Sequence, residues 1–240
     1  MTIDAYLTYL HSWPGDILPI IPTILTTLGN FLSDLQANPS PPPNSILFDI
    51  MTIISKIVDN YEVAGQDLIA IIVITDTIVG RFGAREGLKM VLETAIYSEM
   101  VDMLRERKER GLERNEVIEI LRFIGRTLAV EEEAQIEVIR RHPMLYHLLS
   151  DILIDSLGDR SRNSQATHNQ AVDCHILSQV LFCFANLASN RHSCAPLSGS
   201  KVFQCSEFLA GLDLPVKEEL SVLIFNCVVT YDATQLELIL

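Results

Sequence analysis

Between Thr23 and Tyr231 the large apolar residues recur at intervals of three and four, segment after segment, and this spacing restricts the chain to helices that each bury a face. Positions 24, 25, 28, 31, 32 and 35 make one such face, and Pro22 suits the first turn of the helix over 22–36. Pro39, Pro41, Pro42 and Pro43 end it, because proline lacks an amide hydrogen and crowds the preceding turn. Asn44 is placed to cap a second helix over 45–62. The run Leu68 to Ile74 would serve equally as a buried strand. No other segment offers it a strand partner, and an isolated strand leaves its backbone unpaired, so a helix is expected over 67–80.

Further helices follow near 84–94, 96–110, 114–129 and 131–141. The tail Arg105 to Arg110, dense in both charges, reads as a solvated helix end. The helix over 131–141 begins with three glutamates and ends with Arg140 and Arg141, an order that suits the helix dipole. Pro143 opens a helix with 144, 145, 148, 149, 152, 153 and 157 on its apolar face, and Gly158 closes it. Residues 158–170 hold no large apolar side chain and are expected to form a solvated, mobile loop. Beyond it come a helix over 170–189, shorter pieces around 191–197 and 200–211, a long helix over 215–231, and the start of another element at Gln235 to Leu240.

At 240 residues, 48% apolar and 20% charged, the chain has material for a large core. Eighteen basic against thirty-one acidic residues leave a net charge of −13, which repels phosphate backbones and anionic lipid headgroups. Nucleic acid and membrane are therefore not expected partners. The first twenty residues contain no Lys or Arg and are interrupted by Asp4, Trp13-Pro14-Gly15 and Asp16, so no secretory signal is expected. The apolar run at 68–74 is far short of the about 20 residues a membrane span needs. Cysteines 174, 183, 194, 205 and 227 are odd in number and lack a C-x-x-C, which points to reduced thiols and a cytoplasmic or nuclear protein.

The common nucleotide, zinc-protease and hydrolase signatures are absent. His168, Cys174, His175, Cys183, His192, Cys194 and Cys205 have no ordinary ligand spacing. Cys174 and Cys194 each lie near a histidine in sequence, but a nucleophile and its base usually come from distant segments. The expectation is a non-enzymatic protein with no catalytic residue, no metal and no cofactor.

Phe184-Ala185-Asn186-Leu187-Ala188-Ser189-Asn190-Arg191, ending a long helix, resembles the third helix and turn of an armadillo repeat. Ile124-Gly125-Arg126-Thr127-Leu128 lies 60 residues earlier and Ile224-Phe225-Asn226-Cys227-Val228 lies 40 later. Residues 133–139 and 144–149 resemble the family's first and second helices. The resemblance spans 114–232 and, more loosely, 44–110; residues 1–43 fit nothing in it, His142-Pro143 replaces an expected glycine, and the 158–170 insertion is foreign to it. A HEAT-like stack produces the same spacing. The resemblance implies an all-α protein, a right-handed α–α superhelix of armadillo-like solenoid type, irregular at the N-terminus, with residues 1–240 as one helical domain.

In armadillo proteins the third helices line a groove in which asparagines bond an extended peptide, since an amide both donates and accepts. Asn186 matches that ladder position. Asn226 matches at an offset of 40, whereas an offset of 41 packs Phe225 on Phe184 and takes Asn226 out of register. Arg126 occupies the matching position one repeat earlier, with Arg122 a turn before it and Phe123 and Phe182 off the main apolar stripes. The alternatives are an asparagine bonding its own turn and an arginine face paired with Glu119. The expected function is a scaffold or adaptor holding a protein or peptide, favoured if acidic, at Arg122, Phe123, Arg126, Phe182, Asn186 and Asn226. The other reading is a structural homo-oligomer assembling end to end or by homotypic helix packing, because Leu238-Ile239-Leu240 would leave an apolar end bare.

Overall fold

The segment with two readings, Leu68 to Ile74, is helical. Leu68, Ile71, Ile72 and Ile74 are buried while Val73 is 54% exposed, and Thr75 satisfies its hydroxyl by donating to Ile71 O at 2.8 Å. The computed structural model describes residues 18–37, 44–81, 84–130, 132–157, 173–193, 197, 202–205 and 209–239. Among these there is no strand. The loop expected at 158–170, together with Cys194 and His168, lies outside the described residues.

The α-helices in chain order are α1 (Ile21–Ala37), α2 (Asn44–Asn60), α3 (Gly65–Arg81), α4 (Ala84–Glu93), α5 (Ile96–Arg105), α6 (Arg114–Val130), α7 (Glu132–Arg141), α8 (Leu145–Leu157), α9 (Cys174–Ala188), α10 (Leu214–Thr230) and α11 (Ala233–Ile239). Short 3-10 turns occur at Leu18–Ile20, Arg191–Ser193 and Phe203–Cys205. The chain divides into two compact units, Met1–Glu119 and Ile120–Leu240, with the boundary inside α6.

In the first unit α1 packs on α3, α3 on α4, and α2 on α5. Ile50, Met51, Ile54, Leu68, Ile78 and Met100 are among its core residues, all wholly or nearly wholly buried. Helix α5 ends at Arg105, five residues before the expected end. The charged tail turns back instead, with the Arg110 guanidinium bonded to Glu99 and Glu106 at 2.8 Å each, and Gly111 takes a positive φ of 66°. One buried carboxylate joins two helix starts. Glu116 accepts the Glu113 amide at 2.6 Å, the reciprocal half of a capping box at the head of α6, and also accepts the amide of Gly65, which opens α3 with φ 60°.

In the second unit α9 packs on both α8 and α10. Asp173 starts α9 by accepting the amides of His175 and Ile176, so the helix begins four residues inside its expected range of 170–189. At its other end Asn190, wholly buried, presents its carbonyl to the Tyr231 hydroxyl at 2.8 Å and its side-chain oxygen to the His192 amide at 2.9 Å. Gln135 of α7 donates to Leu128 O at 2.7 Å and to Ser189 Oγ at 3.1 Å, so the same corner is tied to the end of α6.

Candidate functional site

Four hydrogen bonds set the register of the three long helices in the second unit. Cys183 Sγ donates to Leu121 O at 3.3 Å and Asn186 Nδ2 to Gly125 O at 3.2 Å. Asn226 Nδ2 donates to Ala185 O and Tyr231 OH to Asn190 O, both at 2.8 Å. In each pair the numbers rise together on both sides of the contact, so the Ile120–Val130 part of α6, α9 and the α10–Tyr231 segment run parallel. The two asparagines act alike. Each ties its helix to a carbonyl of the preceding one, Gly125 and then Ala185, which makes Asn186 and Asn226 equivalent at an offset of 40.

This register brings some of the expected residues onto one side and withdraws others. Arg126 is exposed, Arg122 and Phe182 are half-buried, and Val222, the counterpart of Arg122 and Phe182, is 47% exposed. Phe123 is 2% exposed and belongs to the core. Helix α6 buries a second row beside Leu121, Ile124 and Leu128, formed by Phe123 and Thr127, whose hydroxyl donates to Phe123 O at 2.8 Å. Asn186 spends both amide hydrogens inside the protein, on Gly125 O and on Phe182 O at 2.9 Å. Phe225 is 64% exposed while Phe184 is wholly buried.

Gly125 permits the closest approach. A Cβ there would stand 2.7 Å from Cε1 of Phe182 and 3.3 Å from Cys183 Sγ, so the Phe182 ring lies directly on the α6 backbone. The Cys183 thiol is held well above its ordinary range by burial and then by Glu219, and Cys174 is raised by burial and then by Asp213. Both shifts run opposite to the lowering that activates a nucleophilic thiol. No group of three or more His, Cys, Asp or Glu suited to a metal ion occurs among the described residues. Nor is any helix among them long and apolar enough to cross a membrane.

Comparison with family models, curated proteins and solved structures yields no match.

Another surface feature lies outside the residues expected from the sequence. Helix α10 exposes Leu214, Val222, Ile224, Phe225, Val228 and Val229, between 39% and 66% each. Its signal is the stretch Val222-Leu223-Ile224-Phe225-Asn226-Cys227-Val228-Val229, helical and apolar on all sides, where an ordinary surface helix shows a polar face. Asn190 has no such signal, because in sequence it reads as part of a polar break rather than as a buried hinge of hydrogen bonds.

Proposed function

We propose that the chain is a non-enzymatic interaction module, built as an armadillo- or HEAT-like helical stack, that holds a polypeptide segment across α6, α9 and α10. The observation supporting this is the parallel register of the three helices. At 60- and 40-residue offsets Arg122, Phe182 and Val222 occupy one row, and Arg126, Asn186 and Asn226 the next. A helix places residues four apart on one face, so the two rows form a strip that is basic at one end and apolar at the other.

The division of labour differs from an asparagine ladder. With its donors spent on Gly125 O and Phe182 O, Asn186 offers a ligand only its side-chain oxygen, and Asn226 bonds Ala185 O. Arg122 and Arg126 therefore supply the donors for carboxylates or carbonyls of the ligand, and Phe182 and Val222 supply apolar contact. The favoured partner is a segment with Asp or Glu next to apolar residues, and its association weakens with salt because exposed charges are screened beyond about 10 Å at 0.1 M. Screening an immobilised peptide array of acidic and apolar residues against the parent and an Arg122→Glu/Arg126→Glu variant tests it. Selection of acidic peptides, lost by at least about tenfold in the variant, supports the reading; identical selection by both chains overturns it.

A further inference from the structure

Helix α10 has two apolar sides and only one is used. Val216, Leu220, Leu223 and Cys227 form its buried row, at 0–4% exposure, while Phe225, Val228 and Val229 on the opposite side are 64%, 58% and 66% exposed. Leu214 and Ile224 on the same helix are also exposed, at 66% and 39%, and exposed apolar surface gathered on one element often marks an interaction site.

We propose that the bare side of α10 docks an amphipathic helix of another polypeptide, one whose apolar face is flanked by Lys or Arg. This goes beyond the strip at Arg122 and Arg126, which takes an acidic segment. That the occupant is helical follows from α9. Forty positions earlier, the distance from Asn186 to Asn226, stand Phe184, Ala185 and Ala188, which are 0–1% exposed on the helix that α10 packs against. Their counterparts Ile224, Phe225 and Val228 are bare. A helix laid on α10 as α10 lies on α9 covers the same three positions, and its ridges match their three- and four-residue spacing. An extended segment, with its two-residue repeat, does not.

The charge of the occupant follows from the rim. Glu218 on α10 and Asp232 just beyond its end are exposed, and the helix itself carries one cation, Lys217. Glu218 sits one turn from both Leu214 and Val222, within reach of any helix lying along the patch. Basic residues beside the ligand's apolar face meet these acids, whereas a second copy would set the same carboxylates against each other on a chain of net charge −13.

The probe is a synthetic Leu/Lys peptide of about five helical turns, with leucines on one face, labelled for fluorescence anisotropy against the full chain. Expected are saturable binding at one peptide per chain, a gain in helical circular dichroism, and a Leu/Glu analogue that binds at least about tenfold more weakly. Phe225→Asp and Val228→Asp, both at exposed positions and checked for unchanged helix content, each weaken binding at least about tenfold. Glu218→Lys weakens it severalfold, and Arg122→Glu/Arg126→Glu leaves it unchanged. Equal binding by the Phe225→Asp chain, equal binding of a scrambled peptide, or loss in the arginine variant overturns the proposal. So does sedimentation of the unliganded chain as a dimer that Phe225→Asp dissociates, which gives the face to a second copy.

Discussion

Phe182 rests on Gly125 where any larger residue would collide: the ring carbon Cε1 comes within 2.7 Å of the place a Cβ would occupy. The Asn186–Gly125 and Cys183–Leu121 bonds flank this contact, so the approach of α9 to α6 depends on one missing methyl group. Gly125→Ala gains up to about 1 kcal/mol of helix propensity but pushes against Phe182 and the buried Cys183. The expected net effect is a destabilisation of about 1–2 kcal/mol by urea unfolding. Because the half-buried Phe182 ring carries most of the clash, Phe182→Ala in the Gly125→Ala background costs less than it does in the parent.

Removing the amide that links the two helices exposes its structural role. Asn186→Ala leaves Gly125 O without this donor and is expected to cost about 1–2 kcal/mol, with Asn226→Ala, one bond to Ala185 O, nearer about 1 kcal/mol. Thermal unfolding of both variants reads this. A melting temperature unchanged by Asn186→Ala would return the side chain to the ligand-facing surface.

In the first unit the same test falls on Glu116, 4% exposed, whose two oxygens serve the amides of Gly65 and Glu113. Glu116→Ala is expected to cost about 2 kcal/mol, because two helix-start donors lose a buried acceptor together. Hydrogen exchange localises the effect: faster exchange in the first turns of α3 and α6, with α9 and α10 unchanged.

Two carboxylates give stability opposite slopes with pH. Glu219 is raised above the ordinary carboxylate value by burial and then by Glu218. The folded state therefore holds this proton more tightly than the unfolded one, and Glu219 favours folding at low pH and less so as pH rises. Glu219→Gln should stabilise the chain at pH 7 by under about 1 kcal/mol, since much of the group still meets water, and change little at pH 3. Glu137, drawn down to about 2 by its bonds to Arg140 and then Arg141, acts in reverse: its contribution is present above the ordinary 4.5 and is lost as pH falls towards 2. Urea midpoints of Glu219→Gln and Glu137→Gln at both pH values distinguish the two signs.

The places of the helices were legible in the sequence because the three- and four-residue spacing of apolar side chains is a local property, and proline, glycine and capping residues mark the ends within a few positions. Thus 22–36, 45–62, 114–129 and 215–231 lie close to α1, α2, α6 and α10. Leu68 to Ile74 needed more than its own spacing: the want of any other segment to pair with as a strand. What a helix turns towards its neighbours is not local. Whether Phe123 points into the core, whether Asn186 bonds a ligand or Gly125, and which side of α10 lies bare depend on what packs alongside. A helix with a single apolar stripe declares its buried face. α10, apolar all round, leaves that choice to tertiary packing, which covered Leu223 and Cys227 against the rest of the unit and left Phe225 and Val229 in water.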